Sequence, residues 1–139
     1  MNDDRKFLED RLAGYTDYSD PDTRVQNEER ARAFAGEQLA TIRERLGKSL
    51  DKATALALDA AILECQFADM EYARTLQDAR LDDTTIAALV QIDRRLVEAA
   101  EGAAKVSAGE LHPLLEEIAA SFKARQPAIA PAAVVRASG

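Results

Sequence analysis

Residues 49–105 read SLDKATALALDAAILECQFADMEYARTLQDARLDDTTIAALVQIDRRLVEAAEGAAK, and the spacing of their apolar positions sets the fold class. In the first half, Ala53, Leu56, Ala60, Leu63, Phe67 and Met70 recur at alternating steps of three and four, which places them on one face of a helix. Leu58, Ile62 and Cys65 form a second row beside it. In the second half, Thr85, Leu89, Ile92, Leu96, Ala99 and Ala103 form one seam and Ile86, Val90, Val97, Ala100 and Ala104 another. Two apolar rows on each helix call for more than one neighbour. Ala79 to Asp83 read as a short turn, with Asp82 or Asp83 as N-cap of the second arm. The expectation is a long antiparallel helical hairpin over 49–105.

Outward from the hairpin, Ser19-Asp20-Pro21 reads as a helix start with Pro21 at the first helical position. Ala31, Ala35, Leu39, Ile42 and Leu46 give the following long helix its buried stripe, and Gly47 ends it. Its outer face carries Glu28 and Arg32, then Glu44 and Lys48, as pairs at i,i+4. Ser49 is the expected cap of the first hairpin arm. Beyond the hairpin, Ser107 to Glu110 fits a capping box, and Leu111, Leu115, Ile118 and Phe122 share one face of a shorter helix, with Pro113 in its first turn. The overall expectation is an all-α, bundle-like fold: an acidic segment 1–20 able to form a short helix with Phe7, Leu8 and Leu12 inward, a linker at Tyr15 to Asp20, a helical domain over 21–125, and a tail over 126–139. Pro127 and Pro131 argue for an extended or flexible tail, whose Ile129, Val134 and Val135 could dock on a protein partner.

The net charge of −7 is unevenly spread: residues 1–21, 22–52, 53–104 and 105–139 carry −3, +1, −6 and +1. The hairpin is acidic and would repel a phosphate backbone. The basic cluster Arg43, Arg45, Lys48 and Lys52 is the candidate phosphate contact, set against a plainer role complementing a helix C-terminus. No run of 18 apolar residues stands in the chain, so no membrane-spanning helix is expected, and the acidic N-terminus lacks a secretion-signal pattern. The single Cys65, on an apolar row, reads as a core residue in a reducing compartment, and the protein is expected in the cytoplasm.

No catalytic or cofactor constellation is expected. A carboxylate-bridged di-iron site needs two Glu-x-x-His pairs, and the chain has one histidine, His112. Cys65 lacks a histidine partner, and the six glycines stand singly at helix ends and loops, Gly102 excepted, with no phosphate loop. Glu64 with Glu71 and Glu98 with Glu101 read as solvated faces. Asp93 interrupts the second arm's seam and is assigned to its exposed edge, or else to a register-fixing pair with an arginine of another subunit.

The run Glu71-Tyr72-Ala73-Arg74-Thr75-Leu76, the turn Leu81-Asp82-Asp83 and the helix Leu89-Val90-Gln91-Ile92-Asp93-Arg94-Arg95-Leu96 together resemble the helical hairpin of small phage proteins of the terminase small subunit kind, over about residues 50–104. The resemblance implies a ring-forming component of a DNA-packaging motor, with an N-terminal DNA-binding module and a C-terminal segment that engages the ATPase. Residues 1–48 depart from it in offering no helix-turn-helix. The expected function is therefore a non-enzymatic homo-oligomer, in the phage-packaging manner or, alternatively, a small helical-bundle adaptor or regulator that holds a protein partner. Leu56, Leu63, Phe67, Met70, Leu89, Ile92 and Leu96 are the expected oligomer or core interface, and nucleic acid is a further candidate partner.

Overall fold

The computed structural model describes the backbone of residues 2–138 and the side chains of residues 3–131. It contains six α-helices: α1 (Asn2–Arg11), α2 (Arg24–Leu46), α3 (Lys52–Gln66), α4 (Met70–Asp78), α5 (Asp83–Ala103) and α6 (Leu111–Ser138). Among the described residues there is no strand. The all-α bundle read from the apolar periodicity is thus the architecture of the chain.

Aspartates cap three of the six α-helices, α3, α4 and α5. Asp51 accepts from the Thr54 amide at 2.7 Å, Asp69 from Tyr72 at 3.0 Å and Asp82 from Thr85 at 2.8 Å, each filling a donor that the first turn leaves open. Those amide bonds hold the Asp51 and Asp82 carboxyls below the usual range. Asp20 caps a 3₁₀ turn that begins at Pro21 and leads into α2. Asp51, not Ser49, caps α3, because Ser49 closes a separate 3₁₀ turn, Gly47–Ser49. Ser107 and Glu110 bond to each other through their side chains at 2.9 Å, in place of the reciprocal backbone bonds of a capping box.

The packing forms a ring of four. α5 lies against α6 and α2, and α3 lies against the same two helices, so α3 and α5 occupy diagonal corners. α4 rests on α2 and α6, and α1 on α5. The antiparallel hairpin expected over 49–105 is therefore not formed, and its arms are separated by the other two members of the ring. The cause is local: at Phe67, Ala68 and Asp69 the first arm stops, and Asp69 starts a new helix in a new direction.

The buried face of α3 is also not the expected one. Thr54, Leu58, Ala61 and Cys65 are buried, while Leu56, Leu63, Phe67 and Met70 are exposed. Both faces are apolar, so periodicity alone could not choose between them. Close approach to α2 decides it. Gly36 lies in mid-α2, a second helical glycine beside Gly102, and a Cβ there would sit 3.1 Å from Cys65 Cβ.

The C-terminal segment differs from the extended tail expected of it. α6 continues through Pro127 and Pro131, and Ile129 is fully buried between them. The two prolines stand four residues apart on the exposed side. The carbonyls that lose an amide partner belong to Lys123 and Pro127, which are exposed as well, so water can take the place of the missing donor. The side chains of Val134 and Val135 lie outside the described residues.

Candidate functional site

The interior holds more charge than a bundle core needs. Tyr15 and Tyr18 donate to Asp93 Oδ2 at 2.8 and 2.5 Å, joining the segment after α1 to the middle of α5. Asp93 is buried, not at an exposed edge, and pairs with tyrosines of its own chain in place of an arginine of another subunit. Burial pushes its carboxyl up to about 7, against the opposing pull of the two hydroxyls and Arg125. The same burial raises Tyr15 and Tyr18 well above the usual tyrosine range. Arg24 is buried too, and donates to the carbonyls of Tyr18 at 2.7 Å and Ala79 at 2.7 Å, closing the end of α4.

A second cluster ties α2 to α6. Glu28 Oε1 accepts from Arg32 Nε at 2.6 Å and lies 2.5 Å from Arg125 Nη2. Arg32 also donates to the Cys65 carbonyl at 2.9 Å, and the Arg125 guanidinium stacks 4.5 Å from the Tyr72 ring centre. One carboxylate thus serves two guanidiniums. Glu28 and Arg32, expected on the outer face of α2, are buried. A cavity of about 200 Å³ opens beside Arg125, walled by Tyr72, Phe122, Phe67 and Glu64.

Next to this cavity runs the surface that the fold leaves unexplained. Leu56, Leu63, Phe67 and Met70 are 61, 53, 69 and 70% exposed, and Ala53 and Ala60 lie in the same row. Leu56 and Leu63 stand on α3, Phe67 closes it and Met70 opens α4, a contiguous run of large apolar side chains in contrast to the isolated exposed leucines common on protein surfaces. Lys48 and Lys52 are exposed at the start of the row, and Glu64, Asp69 and Glu71 at its end.

No family model, curated protein or solved structure matches the chain. The site is therefore defined by its geometry. Of the expected interface residues, Leu56, Leu63, Phe67 and Met70 form the exposed row, whereas Leu89 and Leu96 are buried in the ring and Ile92 is half-buried against the same core. The two halves of the expected interface do not meet. The basic cluster is also divided. Arg43 pairs with Asp59, Arg45 donates to the Ala104 carbonyl at 3.0 Å, and only Lys48 and Lys52 of the four have no ion pair or hydrogen bond among those of the described residues.

Among the described residues no group of three His, Cys, Asp or Glu side chains is placed to hold a metal ion, and no helix is long and apolar enough to cross a membrane. The Cys65 thiol is buried and pushed up to about 12 by that burial, far from the thiolate a nucleophile needs. Tyr15, Tyr18, Arg24 and Arg125 were invisible to periodicity, since three lie in a linker or at a helix start and the fourth beyond the last apolar row.

Proposed function

We propose that the chain is a non-enzymatic helical protein that works by self-association, through the outer face of α3. The exposed row Leu56, Leu63, Phe67 and Met70 carries the reading. A helix with two apolar faces is ordinarily covered on both, and here the ring covers one of the two. Burying large aliphatic and aromatic side chains supplies about 1.5–3 kcal/mol each, enough to drive association between surfaces that fit. A cytoplasmic location goes with this reading, since the single free cysteine suits a reducing compartment.

The phage-packaging context rests on the resemblance over residues 50–104. It adds two requirements, a ring-sized particle and retention of DNA that weakens with salt, and Lys48 and Lys52 are the cations available for the second. The adaptor alternative uses the same α3 face for a helix of another protein.

The test is the mass of the native particle by light scattering on a sizing column at low and moderate salt. Self-association gives a multiple of the 15.1 kDa chain. Leu63→Asp returns it to a monomer that still unfolds cooperatively, because Leu63 lies outside the buried core and the variant loses only the stabilisation that association supplies. A wild-type protein that stays monomeric at high concentration overturns the reading and leaves the face to a different protein.

A further inference from the structure

Taking self-association as its basis, we infer that two copies pair their α3 helices antiparallel, about a two-fold axis that passes at Ala60. Two features of the exposed row point to this arrangement.

The first is its internal symmetry. Counted from Ala60, leucines stand four residues before and three after, at Leu56 and Leu63, and seven residues away stand Ala53 on one side and Phe67 on the other. Antiparallel pairing centred on Ala60 sets each Leu56 against the other copy's Leu63, and each Phe67 ring over the other copy's Ala53. A large side chain then meets a small one at both ends, and the smallest residue lies where the helices cross, which permits the usual interaxial distance of about 8–10 Å. A parallel pairing would stack Phe67 on Phe67 and leave Ala53 facing Ala53.

Charge is the second. The row begins at Lys48, Asp51 and Lys52, a net positive end, and ends at Glu64, Asp69 and Glu71, a more strongly negative one, all exposed. An antiparallel pair brings the basic end of each copy beside the acidic end of the other, while a parallel pair sets like beside like. The helix dipoles favour the same choice.

Closure is the consequence. Both copies use the same patch, so the contact is isologous and stops at two subunits, short of the ring-sized particle that the phage-packaging context requires.

Cysteine cross-linking of the full-length chain tests the register. Ala60→Cys sits on the axis and forms a disulfide-linked dimer under mild oxidation. Ala53→Cys does not link to itself, because its two copies lie about 21 Å apart along the helices, beyond the reach of a disulfide. A mixture of Ala53→Cys and Phe67→Cys chains links as a mixed dimer. Wild-type protein is the control, since its Cys65 is buried. If the wild type associates but Ala60→Cys fails to link, or Ala53→Cys links to itself, the antiparallel register is overturned while self-association stands. A monomeric wild type overturns both.

Discussion

The Tyr18 hydroxyl donates to Asp93 Oδ2 at 2.5 Å, tying the segment before α2 to a carboxyl at the centre of α5. Burial raises that carboxyl to about 7, above the ~3.9 of an unfolded chain. Between those values the folded state holds a proton that the unfolded state has lost. Asp93 therefore makes stability fall as pH rises from about 4 to about 7, with no further change above, by on the order of 4 kcal/mol in all. In Asp93→Asn this titration is absent. The melting temperature of the variant relative to wild type should climb across that window and then level off, and a difference independent of pH would show that Asp93 does not titrate there.

Among the described residues Glu28 is the only carboxylate paired with Arg32 and Arg125, both of which have largely buried side chains. Glu28→Gln leaves two buried guanidiniums without their counter-charge and is expected to cost about 3–5 kcal/mol in urea unfolding. The loss should persist at high salt, because a buried pair is poorly screened. A change below about 1 kcal/mol would mean that water reaches this cluster.

Leu56 and Leu58 are neighbours in sequence on opposite sides of α3, one exposed and one fully buried. Leu58→Ala is expected to lower stability by about 2–5 kcal/mol and leave subunits able to associate. Leu56→Ala should change monomer stability by less than about 0.5 kcal/mol and shift the particle toward monomer. If Leu56→Ala unfolded the protein, the assignment of the two faces would be reversed.

Pro127 occupies an exposed position inside α6. Pro127→Ala restores an amide donor for the Lys123 carbonyl and removes a ring that crowds the preceding turn, so it should stabilise the helix by up to about 3 kcal/mol. Circular dichroism would read this as a higher melting temperature with equal or greater helicity. A lower melting temperature would instead assign the proline ring a packing role.

Many helix positions were legible because they depend on neighbours in sequence: the caps Asp20 and Asp82, Pro21, Gly47 and the three-four spacing of α2, α5 and α6, whereas the Asp51 cap and the break before Asp69 were not. The partnership between helices was not, since it depends on which of two apolar faces wins. On α3 the decision falls to Gly36 and Cys65, where a missing side chain lets α2 approach, and no repeat in the sequence announces it. The α6 extension was hidden for a related reason. Prolines are read as helix breakers, and only the burial of Ile129 shows that this helix tolerates both. Asp93, an acid within an apolar row, reads as an exposed edge of its seam, and its burial was hidden with its partners. Its partners lay in a stretch that reads as a linker because its tyrosines follow no period.

The diagonal placement of α3 and α5 bears on how the chain is made. Of the two helices that lie between them, α6 is synthesised after both. Until α6 emerges, the Leu58 side of α3 and the Leu96 side of α5 have no complete cover, and the nascent chain presents apolar surface that chaperones bind and that aggregates at high local concentration. The ring can therefore close only after translation has passed α6, and ribosome-bound chains stopped ahead of that helix should remain open to protease.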